Sequence, residues 1–138
     1  MTIESLIQDP AADWTRGRPA DDELVERLAA ALPDLPPDYL AFLRHCNGGE
    51  GALGVDPGRF ALWPAEEVAS LNSSYRVSDF LPGYVAFGSD GGGEMLVFGA
   101  SGARWGRVFA VPFIPMEEER AREIAPDFAT LARLFGRH

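Results

Sequence analysis

Two apolar stretches, Tyr84 to Phe87 and Glu94 to Phe98, flank a short run that includes Ser89-Asp90-Gly91-Gly92-Gly93. This is the feature that most constrains the fold. Such a run between two strand-like segments predicts a β-hairpin, and a hairpin commits the chain to an antiparallel sheet. A phosphate-cradling loop also uses glycine, but it must open a helix. Here an apolar, strand-like segment follows instead. Arg107 to Val111, closed by Pro112, predicts a third strand of the same sheet.

The flanks of this sheet read differently. Ile3, Leu6 and Ile7 predict a short helix that Pro10 stops. Ala11 to Pro19 reads as loop, with Trp14 as its one large anchor. Asp21 to Leu32 predicts an amphipathic helix capped by Asp21 or Asp22, with Leu24, Val25, Leu28 and Leu32 on one face. Pro36-Pro37-Asp38 starts a second helix, because proline is tolerated in a first turn. Tyr39, Leu40, Phe42, Leu43 and Cys46 supply its apolar side, and Asn47-Gly48-Gly49 signals its end. Gly51 to Val55 and Arg59 to Trp63 are strand candidates around the turn Asp56-Pro57-Gly58. Pro64 to about Ser73 reads as a helix with Glu66 and Glu67 in its first turn. Glu117 to Glu123 is open between helix and loop. Asp127 caps a last helix carrying Phe128, Leu131, Leu134 and Phe135, which Gly136 ends. Helices at both ends around a run of antiparallel strands give an α+β architecture, with the N-terminal and C-terminal helices packed on the central sheet.

Composition narrows the chemistry. The 138 residues hold 21 acids against 12 bases, for a net charge of −9, and every base is arginine. Without lysine there is no Schiff-base lysine, P-loop lysine or lysine general base. The acidic balance argues against nucleic-acid binding, which relies on a basic surface. A lone cysteine, Cys46, forms no intramolecular disulfide and fits a reducing compartment. MTIESLIQDP has no basic region or apolar run of signal-peptide type, and no stretch approaches about 18 uninterrupted apolar residues. A cytoplasmic protein away from membranes is expected.

The order of motifs resembles the SUKH superfamily, the Smi/Knr type of domain. Leu35-Pro36-Pro37-Asp38-Tyr39-Leu40-Ala41-Phe42-Leu43 followed by Asn47-Gly48-Gly49-Glu50-Gly51 is similar to its proline-started helix ending in Asn-Gly-Gly. Leu62-Trp63-Pro64 with Glu66-Glu67 resembles its strand-to-helix turn, and Asn72 to Tyr75 the polar end of that helix. Val85 to Glu94 resembles its central hairpin, and Asp127 to Leu134 its closing helix. Gly99-Ala100 departs from the pattern, since the family often carries an acid there. Residues 1–138 are expected to form one domain, with 1–19 outside the resemblance. The resemblance implies a binding module without catalysis or cofactor. Bacterial members are similar to immunity proteins that neutralise polymorphic toxins, many of them nucleases, and fungal members act as signalling scaffolds.

The residues themselves offer little catalytic machinery. His45 and Cys46 are helix neighbours pointing about 100° apart, which is poor geometry for a nucleophile and base. Phe87-Gly88-Ser89-Asp90-Gly91 has Phe where a nucleophile elbow needs Gly. No zinc or EF-hand spacing is present, so neither metal nor cofactor is expected. A small-molecule hydrolase is the most distant alternative, and a scaffold adaptor for a host protein is the nearer one. Under the immunity reading, the partner is a basic toxin domain. The expected contacts are acids at predicted turns, Glu50, Asp56, Asp79, Asp90 and Glu94, with Trp63 and Tyr84 as apolar anchors.

Overall fold

The computed structural model describes residues 3–138. Its frame is a seven-stranded, fully antiparallel sheet whose strands lie side by side in chain order. They are β1 (Trp14–Arg16), β2 (Gly49–Ala52), β3 (Arg59–Leu62), β4 (Tyr84–Ser89), β5 (Glu94–Gly99), β6 (Val108–Pro112) and β7 (Arg122–Ala125). The hairpin read from the glycine run is β4–β5, with Val85 opposite Phe98 and Ser89 opposite Met95. Asp90 shapes its turn: its carboxylate accepts from the N–H groups of Gly92 at 2.7 Å and Glu94 at 3.1 Å.

Side-chain alternation then sorts two apolar layers. Val85, Phe87, Leu96, Phe98, Val108 and Ala110 face the larger core. That core is closed by α1 (Ile3–Gln8), α2 (Asp22–Ala31), α3 (Pro37–His45), α4 (Ala65–Ser74) and α6 (Phe128–Ala132). Tyr39, Phe87, Phe98 and Phe128 interlock at its centre with ring centroids 4.1–6.0 Å apart. Tyr84, Ala86, Met95, Val97, Phe109 and Val111 face the other way, under Val77 and Leu81 of the α5 segment (α5, Val77–Phe80) and Met116.

Helix boundaries lie close to the expected ones, but two of the expected caps work differently. Asp127 caps α6 by accepting from Thr130 N–H at 2.7 Å, and this holds its carboxyl below the usual range. Asp21 sits at the start of α2 but makes no side-chain cap bond. Asn47 does not serve its own helix. Its Oδ1 accepts from Ala65 N–H at 2.6 Å and its Nδ2 donates to Glu66 at 3.0 Å, so it caps α4, which starts 18 residues later. Gly48 takes φ +98 and brings the chain back against β3; a Cβ there would stand 3.1 Å from the Leu62 carbonyl.

Two segments correct the expectations. Ala11 to Pro19 is not simply loop: Trp14–Arg16 is an edge strand on β2. Three residues are too few to show a period, so only the pairing reveals it. Arg16 fixes the segment. Its guanidinium donates to four backbone carbonyls, those of Ile7, Asp9, Ala12 and Trp14. Glu117 to Glu123 holds a short 3-10 turn, Glu118–Arg120, and then enters β7. Its charged residues suit an edge strand facing water. The departure at Gly99 also has a reason: the Arg104 carbonyl packs where a Cβ would stand.

Candidate functional site

The second face of the sheet is only partly covered. At the end of α4 the chain passes through Arg76, which adopts the left-handed conformation at φ 56, and α5 crosses the face from there. Val77 and Leu81 are buried by this crossing, but Phe80 stays 53% exposed. Beyond β6 the chain stays apolar through Phe113, Ile114, Pro115 and Met116. Met116 tucks in, while Ile114 stands 91% exposed.

Between these walls lies a groove of about 530 Å³, lined by Ser74, Tyr75, Arg76, Phe80, Phe113, Ile114, Pro115, Met116 and Glu117. Trp63, Tyr75 and Phe113 form an aromatic ladder along it, with centroids 6.0 and 4.9 Å apart. The Arg76 guanidinium lies 5.5 Å from the Phe80 ring centre and bonds Asp79 at 2.9 Å. Large apolar groups left in water together, beside a concavity and rimmed by charge, are the usual anatomy of a protein-docking surface.

A second cavity of about 460 Å³ lies between the α2–α3 connection and β4. Its central amide, Asn72, is already consumed. It donates to the Val68 and Ala86 carbonyls and accepts from Ala86 N–H, all at 2.8 Å. This residue pins α4 to β4.

The seven residues expected at a partner surface are not brought to one place. Trp63 belongs to the ladder and Asp79 to the rim of the groove. Asp90 is engaged in its own turn, which adjoins the groove through the Phe113 N–H bond to Gly93 O at 2.9 Å. Asp56 and Glu94 meet elsewhere, on either side of Arg122 at 2.8 and 3.2 Å, where two carboxylates share one guanidinium. Glu50 is exposed on β2. Tyr84 is only 7% exposed; it packs edge-on against Phe109 and donates to Glu118 at 3.3 Å. Burial, and then the Glu118 charge, push its phenol up. It supports the second core instead of standing out as an anchor.

Phe80, Phe113 and Ile114 were missed by sequence reasoning. The available signal was that the apolar run continues past the strand-closing Pro112. Of the other exposed aromatics, Trp105 donates its indole N–H to the Asp34 carbonyl at 3.0 Å, strapping two loops together.

Cys46 is fully buried, donates to the Gly48 carbonyl at 3.0 Å, and has its thiol pushed up to about 11 by burial. His45 beside it points to solvent. Among the described residues, no group of three or more His, Cys, Asp or Glu side chains is arranged to hold a metal. No helix among them is long and apolar enough to cross a membrane.

Fold and groove thus define an α+β protein with an all-antiparallel meander and an exposed aromatic face. The model of the SMI1 / KNR4 family (SUKH-1) matches residues 19–133, and the chain belongs to that family. No curated protein matches the chain significantly. The segment before residue 19 lies outside the family match yet supplies β1 and α1, so it is built into the same sheet and core.

Proposed function

We propose that this chain is a non-catalytic protein-binding module of the immunity type, acting in the cytoplasm as one domain. Its partner is a basic toxin domain, and the aromatic groove is its docking face. The observation that carries the reading is the exposed set Tyr75, Phe80 and Ile114 around that groove. Rings held by neighbouring rings lose little freedom on binding, which suits them to anchor a partner. The net charge of −9 steers a cationic partner toward the surface, and the apolar groove then holds it. Glu50, Asp90 and Asp79 remain candidate contacts around this approach, with Trp63 at the base of the ladder.

Sequencing the genes on either side and co-expressing any basic toxin domain found there tests the proposal. The unmodified chain should restore growth, and Phe80→Asp should abolish the rescue while its circular dichroism stays unchanged. Complex formation should weaken as salt rises. Full rescue by Phe80→Asp, or an association rate flat across ionic strength, would count against the groove or the steering respectively.

A further inference from the structure

We propose that two copies of the free chain cover this groove for one another. The inference rests on reading the groove as a docking face, and it names what occupies that face when no partner is present.

Self-association needs a surface complementary to itself, because a two-fold interface uses the same patch twice. The groove face has that property. Ile114 projects as a knob at 91% exposure, and beside it lies a hollow of about 530 Å³ floored by Met116 and walled by Tyr75 and Phe80. A two-fold axis across this face places each Ile114 in the other copy's hollow.

Charge favours the same face. Two chains of −9 repel each other over most of their surface. On this lining the charges are matched: Arg76 bonds Asp79 at 2.9 Å, and Glu117 bonds Arg120 at 3.5 Å. Approach here sets neutral against neutral. Arg76 and Asp79 also form a pair that can exchange partners across the axis.

The area sets the strength. With roughly 200 Å² for a whole aromatic side chain, Tyr75 and Phe80 expose about 190 Å² between them. Ile114 adds roughly 100 Å². Two copies therefore bury about 600 Å² of apolar surface plus a polar rim, which places the dimer in the weak, transient class. A partner that binds the same face more tightly displaces it.

The test is sedimentation of the purified full chain, without any partner, from about 10 µM to about 1 mM, at low and high salt. The expected result is a monomer–dimer equilibrium that tightens as salt rises, because salt screens the −9 repulsion while leaving apolar contact intact. Ile114→Asp and Phe80→Asp should each weaken the dimer at least tenfold. Trp105→Ala, outside the groove, should leave it unchanged. A monomer at every concentration and salt overturns the proposal. So does a dimer that both groove variants leave intact, or one that salt dissolves. The salt response is opposite in sign to that of a basic partner, so the two readings fail separately. A strict monomer that still binds its partner through Phe80 overturns only the dimer. A dimer broken by Phe80→Asp, in a chain whose partner binding is untouched by it, overturns only the docking reading.

Discussion

Replacing Asn47 by Ala removes the cap of a helix that begins 18 residues away. Two contacts depend on this side chain, the 2.6 Å bond from Ala65 N–H and the 3.0 Å bond to Glu66, and together they join the end of α3 to the start of α4. Losing an N-cap acceptor costs about 1 kcal/mol, with a range of roughly 0.5–2. The Ala65 N–H is half-buried, so water replaces the lost acceptor poorly and the cost falls at the upper end of that range. The exposed contact with Glu66 adds at most a few tenths. The total is about 2 kcal/mol, which for 138 residues lowers the melting temperature by roughly 7 °C.

Asn47→Asp is the discriminating variant. It keeps an acceptor for Ala65 but sets a carboxylate against Glu66, so it should be intermediate at neutral pH. It should recover in the double variant Asn47→Asp/Glu66→Gln. Urea unfolding followed by circular dichroism measures all three. If Asn47→Ala falls within about 0.3 kcal/mol of the unmodified chain, or if Glu66→Gln gives no recovery, Asn47 is not the cap of α4.

Two further outcomes follow from buried groups. The Cys46 thiol is raised to about 11 against an ordinary value of 9.0, so the unfolded chain ionises first. Stability from this group is full below pH 9 and is lost as pH rises toward 11, by about 2 kcal/mol. Cys46→Ala should flatten that part of the unfolding curve, and an unchanged slope between pH 9 and 11 would refute the assignment. Arg16→Ala should cost about 3 kcal/mol, because four carbonyls lose a charged donor. Arg16→Lys should restore less than half of this, since an ammonium lacks the planar fork. Hydrogen exchange of residues 3–13 should rise in both, and protection equal to the unmodified chain would show that Arg16 does not hold the N-terminus.

The sequence by itself determined the local grammar. Proline fixed where α3 and α4 start, and the glycine run forced the β4–β5 hairpin. Asp127 capped α6, and unbroken apolar runs marked β4, β5 and β6 as strands. These are short-range effects of backbone geometry and side-chain period, so neighbouring residues suffice to read them. The order of the motifs carried the family.

Tertiary structure decided what depended on distant partners. Trp14–Arg16 became a strand only because β2 offered it an edge. Asn47 reads as the end of one helix but caps another, because its amide reaches Ala65 and Glu66 across the fold. Asp56 and Glu94 look like free surface acids until Arg122 is placed between them. Tyr84 looks like an anchor until the second core closes over it. The groove is assembled from residues 74–80 and 113–117, segments that share no local pattern. Its exposure depends on how far α5 covers the sheet, a packing outcome that no single stretch of sequence encodes.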